Sequence, residues 1–406
     1  MYLGIDLGTS GLKVLLVSEE GAVMASASEP LLVERSHFGW SEQNPQAWID
    51  ACERALDKLT AQCPCAFSAL RGIGLSGQMH GAVLLDSSLK PLRPAILWND
   101  TRSHEEAAKL NSDPRFQAIS GNIVFPGFTA PKIMWTEANE PATFSQIGKI
   151  LLPKDYLRLW LTGDSVSEMS DASGTSWLDV ANRCWSPELL GATNIALEHM
   201  PALVEGTDPS GQLRRELTQR WGVKRSIPVA GGGGDNAATA VALGVVRSNT
   251  AFVSLGTSGV LFVAADRFRP KPETAIHTFC HALPDYWHQM GVILSATDAL
   301  NWLSELTTTS SRSLTEELGQ TLKPPARAVV LPYFAGERTP HNDANVRAAL
   351  LGVERTMDRV AMTQAILEGV AFAFRDNLTV LEDAGAKISR ITATGGGAAC
   401  GYWLQV

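Results

Sequence analysis

The chain has 406 residues, 45% of them hydrophobic and 19% charged, with a formal net charge of -8 at pH 7. One hydrophobic core rarely grows past roughly 250–300 residues, so two large domains are expected, here 1–244 and 245–406. The acidic balance and the absence of a Lys/Arg run exclude nucleic acid as a main partner; no stretch reaches the ~18 apolar residues of a membrane helix and no basic leader precedes the first strand, so a cytoplasmic chain without membrane contact is expected.

Residues 2–5 and 12–17 are apolar runs flanking a Gly/Thr/Ser turn, and EEGAV (19–23) turns into a third strand, completing a β-meander. NPQAWIDACERALDKL (44–59) carries apolar residues at helical spacing, with Asn44 as N-cap and Pro45 at the first helical position. ALRGIGLS is a short buried strand, and QMHGAVLLD and AILWNDTR read as strands about the turn DSSLKPLRP. Residues 103–220 are mixed, helical at 131–138 and 152–162 and loop-rich around MSDASGTSWLDV. SIPVAGGGGDNAATAVALG (226–244) is strand, glycine loop and helix.

From Ala251 the meander restarts as AFVSLGTSGVLFVA, followed by FCHALPDYWHQMGVIL and a helix near 296–306. VVLPYF is a strand, 359–384 is a long helix ended by Gly385, and ITATGGGAACGYWLQV reads as strand, glycine loop and the start of a helix. Two halves that begin alike indicate an internal duplication. The chain stops at Val406 as that last helix begins, so a second domain lacking its C-terminal end is expected.

The six cysteines are scattered, and a lone close pair, Cys63 and Cys65, points to reduced thiols rather than a disulfide framework or a zinc site. His277, His281 and His288 have no metal-ligand spacing and read as packing or hydrogen-bonding residues.

The pentapeptide LGTSG occurs at 7–11 and again at 255–259. Glycines that permit close approach, with two hydroxyls, make such a hairpin turn a candidate phosphate cradle, although a plain turn explains one copy as well. Asp6 precedes the first copy and Ser254 the second, as expected if two loops hold phosphates but only one supplies a carboxylate to hydrated Mg2+. In GGGGDN, Asp235 is either an N-cap or a carboxylate that accepts a proton from an acceptor hydroxyl; four glycines favour the second, because they let a ligand approach the backbone. Met79 and His80 in GQMHG stand at a strand end, as core filler and a satisfied histidine or as ligand contacts. TGGGA (394–398) offers a flat backbone to an adenine or ribose, without the full dinucleotide fingerprint. Trp40, Trp98 and Trp135 are open between lining a cleft and packing beneath it.

DLGTSGLK, the repeated hairpin, GFTAPKIMW, GGGGDN and TGGGA, in this order, resemble the FGGY carbohydrate kinases of the actin, hexokinase and Hsp70 superfamily. Within them, SGQMHG, AILWNDTR, LLPKDYLRL, SDASGTSWLDV and PYFAGERTPHND resemble the members that act on D-xylulose. The resemblance runs from Met1 to Val406. It implies an α/β fold of two RNase H-like domains around a cleft, each with a mixed five-stranded sheet.

It also implies ATP and Mg2+ as cofactors and phosphorylation of D-xylulose to D-xylulose 5-phosphate. Position by position, Asp235 matches the family's catalytic base at the sugar, and Met79 and His80 match ketose contacts. Asp6 matches the metal-side carboxylate needed for activity. Thr9, Ser10 and Lys13 fall in the first phosphate loop, Gly256, Thr257 and Ser258 in the second, and Gly396 and Gly397 beside the adenosine. A homodimer is the assembly considered.

Two departures stand out. Ala361 replaces a usually polar residue, and family members continue several tens of residues past TGGGA, so weak ATP binding is expected of the chain as it stands. The rivals are a kinase for another ketose or polyol, such as ribulose, and a non-catalytic actin-like nucleotide switch, which would leave QMHG and GGGGD unexplained.

Overall fold

Alternation sets the first strand: in β1 (Tyr2–Leu7), Leu3, Ile5 and Leu7 are buried and the residues between them are not. A strand points successive side chains to opposite faces, so this pattern commits one face to a core and leaves Asp6 on the other. β2 (Gly11–Val17) returns antiparallel with Leu12, Val14 and Leu16 buried, and β3 (Val23–Pro30) completes the expected meander. Helix α1 (Pro45–Gln62) covers this sheet with Trp48, Ala51, Cys52, Ala55, Leu56 and Leu59. Asn44 caps it by accepting from the Gln46 amide at 3.0 Å, an interaction typically contributing about 1 kcal/mol, and Pro45 stands at the first turn.

The computed structural model describes residues 1–406. The chain divides into two compact units, Met1–Val241 with Phe279–Tyr286, and Ala242–Thr278 with Trp287–Val406. No helix is long and apolar enough to cross a membrane.

In the first unit β4 (Gly72–Gly77) lies parallel to β1. With β5 (Pro209–Gln212), β6 (Pro228–Ala230) and β7 (Gly233–Gly234), the sheet has seven strands in the order β5-β6-β4-β1-β2-β3, β7 also pairing with β4. Of the two strands beyond five, one arises because the glycine stretch interrupts a strand position, so β6 and β7 both lie parallel to β4, and the other is β5, added antiparallel at the edge. The strands around DSSLKPLRP are shorter than the sequence implies and each pairs elsewhere, Val83–Leu85 with Lys149–Leu151 and Ala95–Ile96 with Glu42–Gln43. Helices α2 (Thr129–Asn139), α3 (Pro153–Thr162), α4 (Met169–Ala172) and α5 (Asp235–Ala242) complete what positions the site.

The second unit repeats the opening plan. β8 (Thr250–Leu255) and β9 (Gly259–Ala265) form the second hairpin, and β12 (Arg390–Thr394) lies parallel to β8, as β4 does to β1. β10 (His277–Cys280) and β11 (Trp287–Ile293) extend a five-stranded sheet ordered β10-β11-β9-β8-β12. Helices α6 (Thr297–Thr307) and α7 (Arg359–Asp383) share a core through Leu300, Leu303, Ile366, Leu367 and Val370. After β12 the chain makes two short 3-10 turns, Gly396–Ala399 and Trp403–Gln405, where an α-helix start was expected.

Candidate active site

The register of three parallel strands gathers the first group of residues. Asp6 of β1 pairs with Ser76 of β4, which pairs with Gly233 of β7, so Asp6 and the stretch leading to Asp235 stand two strand spacings apart, roughly 10 Å. Lys13 lies opposite Asp6 on β2, and both are exposed. The Asp6 carboxylate makes no side-chain hydrogen bond or ion pair within the protein.

The two LGTSG copies fold differently. Leu7 pairs with Leu12, leaving a four-residue loop closed by Gly8 N–H to Gly11 O at 3.0 Å. Leu255 pairs with Gly259, leaving only Gly256, Thr257 and Ser258. In the first loop the Thr9 hydroxyl donates to Gln78 Oε1 at 3.0 Å and accepts from Trp98 Nε1 at 2.9 Å. The Thr9 carbonyl accepts from Gln43 Nε2 at 2.7 Å, and Gln43 Oε1 accepts from Trp48 Nε1 and Gln78 Nε2. The hydroxyl expected to face a phosphate thus anchors the loop; the exposed Ser10 hydroxyl has no such partner. Neither Thr9 nor Ser10 donates its amide to a protein acceptor.

Trp98 stands beside this loop with 46% of its surface exposed. Trp40 and Trp135 instead pack edge to face at 5.4 Å, with the Arg102 guanidinium 3.6 Å from the Trp40 ring centre and 4.9 Å from that of Trp135. They form a cation–π stack, with Arg102 paired to Asp100 and Glu42.

Met79 is buried, and His80 sits at φ 67°, which is uncommon for a residue with a side chain. Gly81 N–H bonds Met79 O at 2.9 Å, making His80 the centre of a γ-turn of the strained hand. Its surroundings hold it there. The His80 carbonyl accepts from Lys132 Nζ at 2.8 Å and Thr129 Oγ1 at 3.1 Å, both on α2, and the ring stacks on Phe128 at 4.4 Å. Nδ1 lies 2.8 Å from Gly174 O, a partner that only accepts, so Nδ1 carries the proton and in the neutral ring Nε2 is the acceptor nitrogen. The sequence reading passed over Lys132; its one signal was a lysine in the otherwise apolar GFTAPKIMW. Burial pushes the Lys132 amine well below the usual lysine range.

Asp235 opens α5 and is not its N-cap. Its Oδ1 accepts from the amide and side-chain nitrogen of the next residue, Asn236, at 2.6 and 2.9 Å, rather than from amides one turn in. Asp235 is exposed as a residue, although many protein atoms surround its carboxyl. That desolvation, with the Asp6 charge acting in the same direction and the Asn236 hydrogen bonds opposing, pushes the pKa up to about 6.

Three of the four glycines also have a cause within the protein itself. A Cβ at Gly231 would come within 2.2 Å of Glu205 O, one at Gly232 within 2.1 Å of Leu75 O, and one at Gly234 within 2.8 Å of Met79 Sδ. The close neighbours are protein.

Beneath the loop lies a fully buried charge cluster that the sequence reading did not single out. Lys154 Nζ is 3.0 Å from Asp155, 3.4 Å from Asp171 and 3.6 Å from Glu168, and Arg158 joins through Asp155 at 3.7 Å. Three carboxylates face two cations, and all five side chains are fully buried. Burial raises the Asp171 pKa well above the usual carboxylate range against the pull of Lys154, and Asp155 and Glu168 add to the rise.

In the second unit the loop carbonyls serve α6. Gly256 O accepts from the Thr297 amide at 2.9 Å and its hydroxyl at 2.8 Å, and Thr257 O accepts from the Ala296 amide at 2.8 Å, satisfying donors that a helix start leaves open. The Thr257 and Ser258 side chains are exposed, and their amides have no protein acceptor. A cavity of about 630 Å3 adjoins Thr297, Asn301, Arg312, Gly396, Gly397 and Tyr402. Gly395, at φ 86°, makes the turn that β12 needs to reach it. The expected residues therefore fall into two groups: Asp6, Thr9, Ser10, Lys13, Met79, His80 and Asp235 on the first unit, and Gly256, Thr257, Ser258, Gly396 and Gly397 on the second.

Two units that each open on a glycine-turn hairpin, one carrying a carboxylate pair and the other a cavity at a glycine turn, define a sugar-kinase fold, and sequence comparison agrees. Residues 1–242 match the N-terminal domain and residues 251–406 the C-terminal domain of the FGGY family of carbohydrate kinases, and the chain belongs to that family. It is a sugar kinase, with ATP and a sugar as substrates.

Among its relatives is the xylulose kinase of Escherichia coli K12, 47% identical over 408 residues that span all of this chain and 84% of that protein. The structure of a "xyloylose kinase" from Brucella ovis is 58% identical with a TM-score of 0.98, over 99% of this chain and 83% of that one. A xylulose kinase from Rhodospirillum rubrum is 28% identical with a TM-score of 0.92, over 99% and 83%.

Proposed function

We propose that the chain transfers the γ-phosphoryl group of ATP to O5 of D-xylulose, giving D-xylulose 5-phosphate. The observation that carries this reading is the Asp6–Asp235 pair: two carboxylates at strand positions two apart in one sheet, flanking β4, with the pKa of Asp235 raised to about 6. A base works best with a pKa near the working pH, and at pH 7 a group at about 6 is roughly nine-tenths ionised and still a useful proton acceptor. Asp235 orients the terminal hydroxyl and takes its proton as the oxygen attacks. His80 and Met79 contact the ketose, His80 held rigidly by its γ-turn.

Asp6 is exposed and uncommitted, which suits Mg2+, a hard cation that keeps most of its water and takes one or two carboxylates besides phosphate. When bound, the ion would neutralise charge on the phosphates. Thr9 and Ser10 amides on the first unit, and Thr257 and Ser258 on the second, are donors for phosphate oxygens; Lys13 adds a cation. Gly396 and Gly397 would lie against the adenosine. The same reading puts the enzyme in the cytoplasm, where ATP is abundant.

The test is a coupled assay with D-xylulose, D- and L-ribulose and short polyols, run on wild type and Asp235→Asn. D-Xylulose should give the highest kcat/KM, and Asp235→Asn should lose at least about 1,000-fold in kcat. A higher kcat/KM on ribulose would overturn the substrate, and retained turnover in Asp235→Asn the base.

A further inference from the structure

Asp235 follows a loop that has no side chains with which to fix itself. The polar side chains that hold it come from α3 and α4. At the entry, Arg158 Nη1 donates to Ala230 O at 2.7 Å and Nη2 to Gly231 O at 2.6 Å. At the exit, the amide of Gly234, the residue immediately before Asp235, donates to Ser170 Oγ at 3.0 Å. Ser170 is fully buried and its hydroxyl donates in turn to Glu168 at 2.8 Å. Glu168 also accepts the amides of Ser170 at 2.8 Å and Asp171 at 2.9 Å, and belongs to the Lys154 cluster. A charged, fully buried acceptor thus fixes the direction of the Ser170 O–H, which leaves its lone pairs aimed at the Gly234 N–H.

We propose that Ser170 is a positioning residue for Asp235, setting the direction in which the base leaves the glycine loop. The inference rests on the reading of Asp235 as the base. A hydroxyl that only stabilised the fold would act on folding and on every ligand alike. One that acts through Asp235 affects the transferring step and leaves ground-state binding alone, because misplacing a catalytic group by a fraction of an ångström is expressed in kcat.

The experiment compares Ser170→Ala, Ser170→Thr, Asp235→Asn and the Ser170→Ala/Asp235→Asn double variant, by steady-state kinetics, ketose binding through tryptophan fluorescence and thermal melting. Ser170→Ala should lower kcat about 10- to 100-fold, with both KM values within about threefold and ketose affinity retained. Ser170→Thr, which restores the hydroxyl, should recover most of that loss. In the Asp235→Asn background, adding Ser170→Ala should remove little of the remaining rate, since residues acting as one unit are not additive.

An unchanged kcat in Ser170→Ala would overturn the inference. So would a parallel fall of kcat and ketose affinity, or a Ser170→Thr variant as impaired as the alanine in kcat while melting like the wild type. If Asp235→Asn keeps its turnover, the base reading fails; if it is dead while Ser170→Ala is normal, only the positioning role fails.

Discussion

The charge of Asp6 acts on the Asp235 carboxyl, and with the crowding of that group it holds the Asp235 pKa near 6. If Asp235 is the base, kcat/KM should fall about tenfold per pH unit below roughly pH 6. Asp6→Asn removes one of the two raising causes, so the acid limb of its residual activity should move to lower pH. A wild-type limb near pH 4 would count against the pair.

Asp235 also affects stability, in a direction that can be worked out. Its folded pKa lies above the ordinary aspartate value of 3.8, so folding favours the protonated form. The stability this contributes is fully present below about pH 4 and lost as pH rises through about 6. Asp235→Asn keeps the acceptor for Asn236 without the charge, and should raise the melting temperature at pH 7.5 while leaving it nearly unchanged at pH 4. Equal shifts at the two pH values, by scanning fluorimetry, would contradict this.

The two LGTSG loops should respond differently to the same substitution. Thr9→Ala removes the partner of Gln78 and Trp98 and should cost about 1–2 kcal/mol in urea unfolding. Thr257→Ala truncates an exposed side chain and should cost under about 0.5 kcal/mol, with any change confined to the KM for ATP. Equal destabilisation would mean that the second hydroxyl is anchored too.

Gly396 and Gly397 separate along a similar line. A Cβ at Gly396 meets open space, whereas one at Gly397 would come within 2.8 Å of Leu255 Cβ and 2.9 Å of the Trp403 ring. Gly397→Ala should therefore cost about 1–3 kcal/mol. Gly396→Ala should melt like the wild type and raise the KM for ATP, by filling the wall of the cavity. A wild-type KM in Gly396→Ala would remove it from the nucleotide site.

Much of the fold is legible because it depends on short-range regularities. Alternation in β1 and β2, the Asn44–Pro45 start of α1 and the Gly385 stop of α7 are each read within a few residues and recur in the structure. The 3-10 turns after β12 and the short strands around DSSLKPLRP were not legible, since their lengths depend on partners far along the chain. Trp98 and Trp135 illustrate the same limit: only packing distinguishes a tryptophan beside a loop from one stacked under Arg102.

By itself the sequence determined the repeat, the strand and helix order, and which residue types were offered as acid, base and phosphate donors, because period and turn chemistry are written locally. The tertiary structure decided what those residues do. It gave identical LGTSG copies different registers, since pairing partners rather than the pentapeptide set the loop length. It seated three of the four glycines against Glu205, Leu75 and Met79, too close for a side chain. And it placed Ser170, 65 positions before Asp235 in the chain, against the peptide that presents it; hydrogen bonds over such separations depend on the path of the folded backbone.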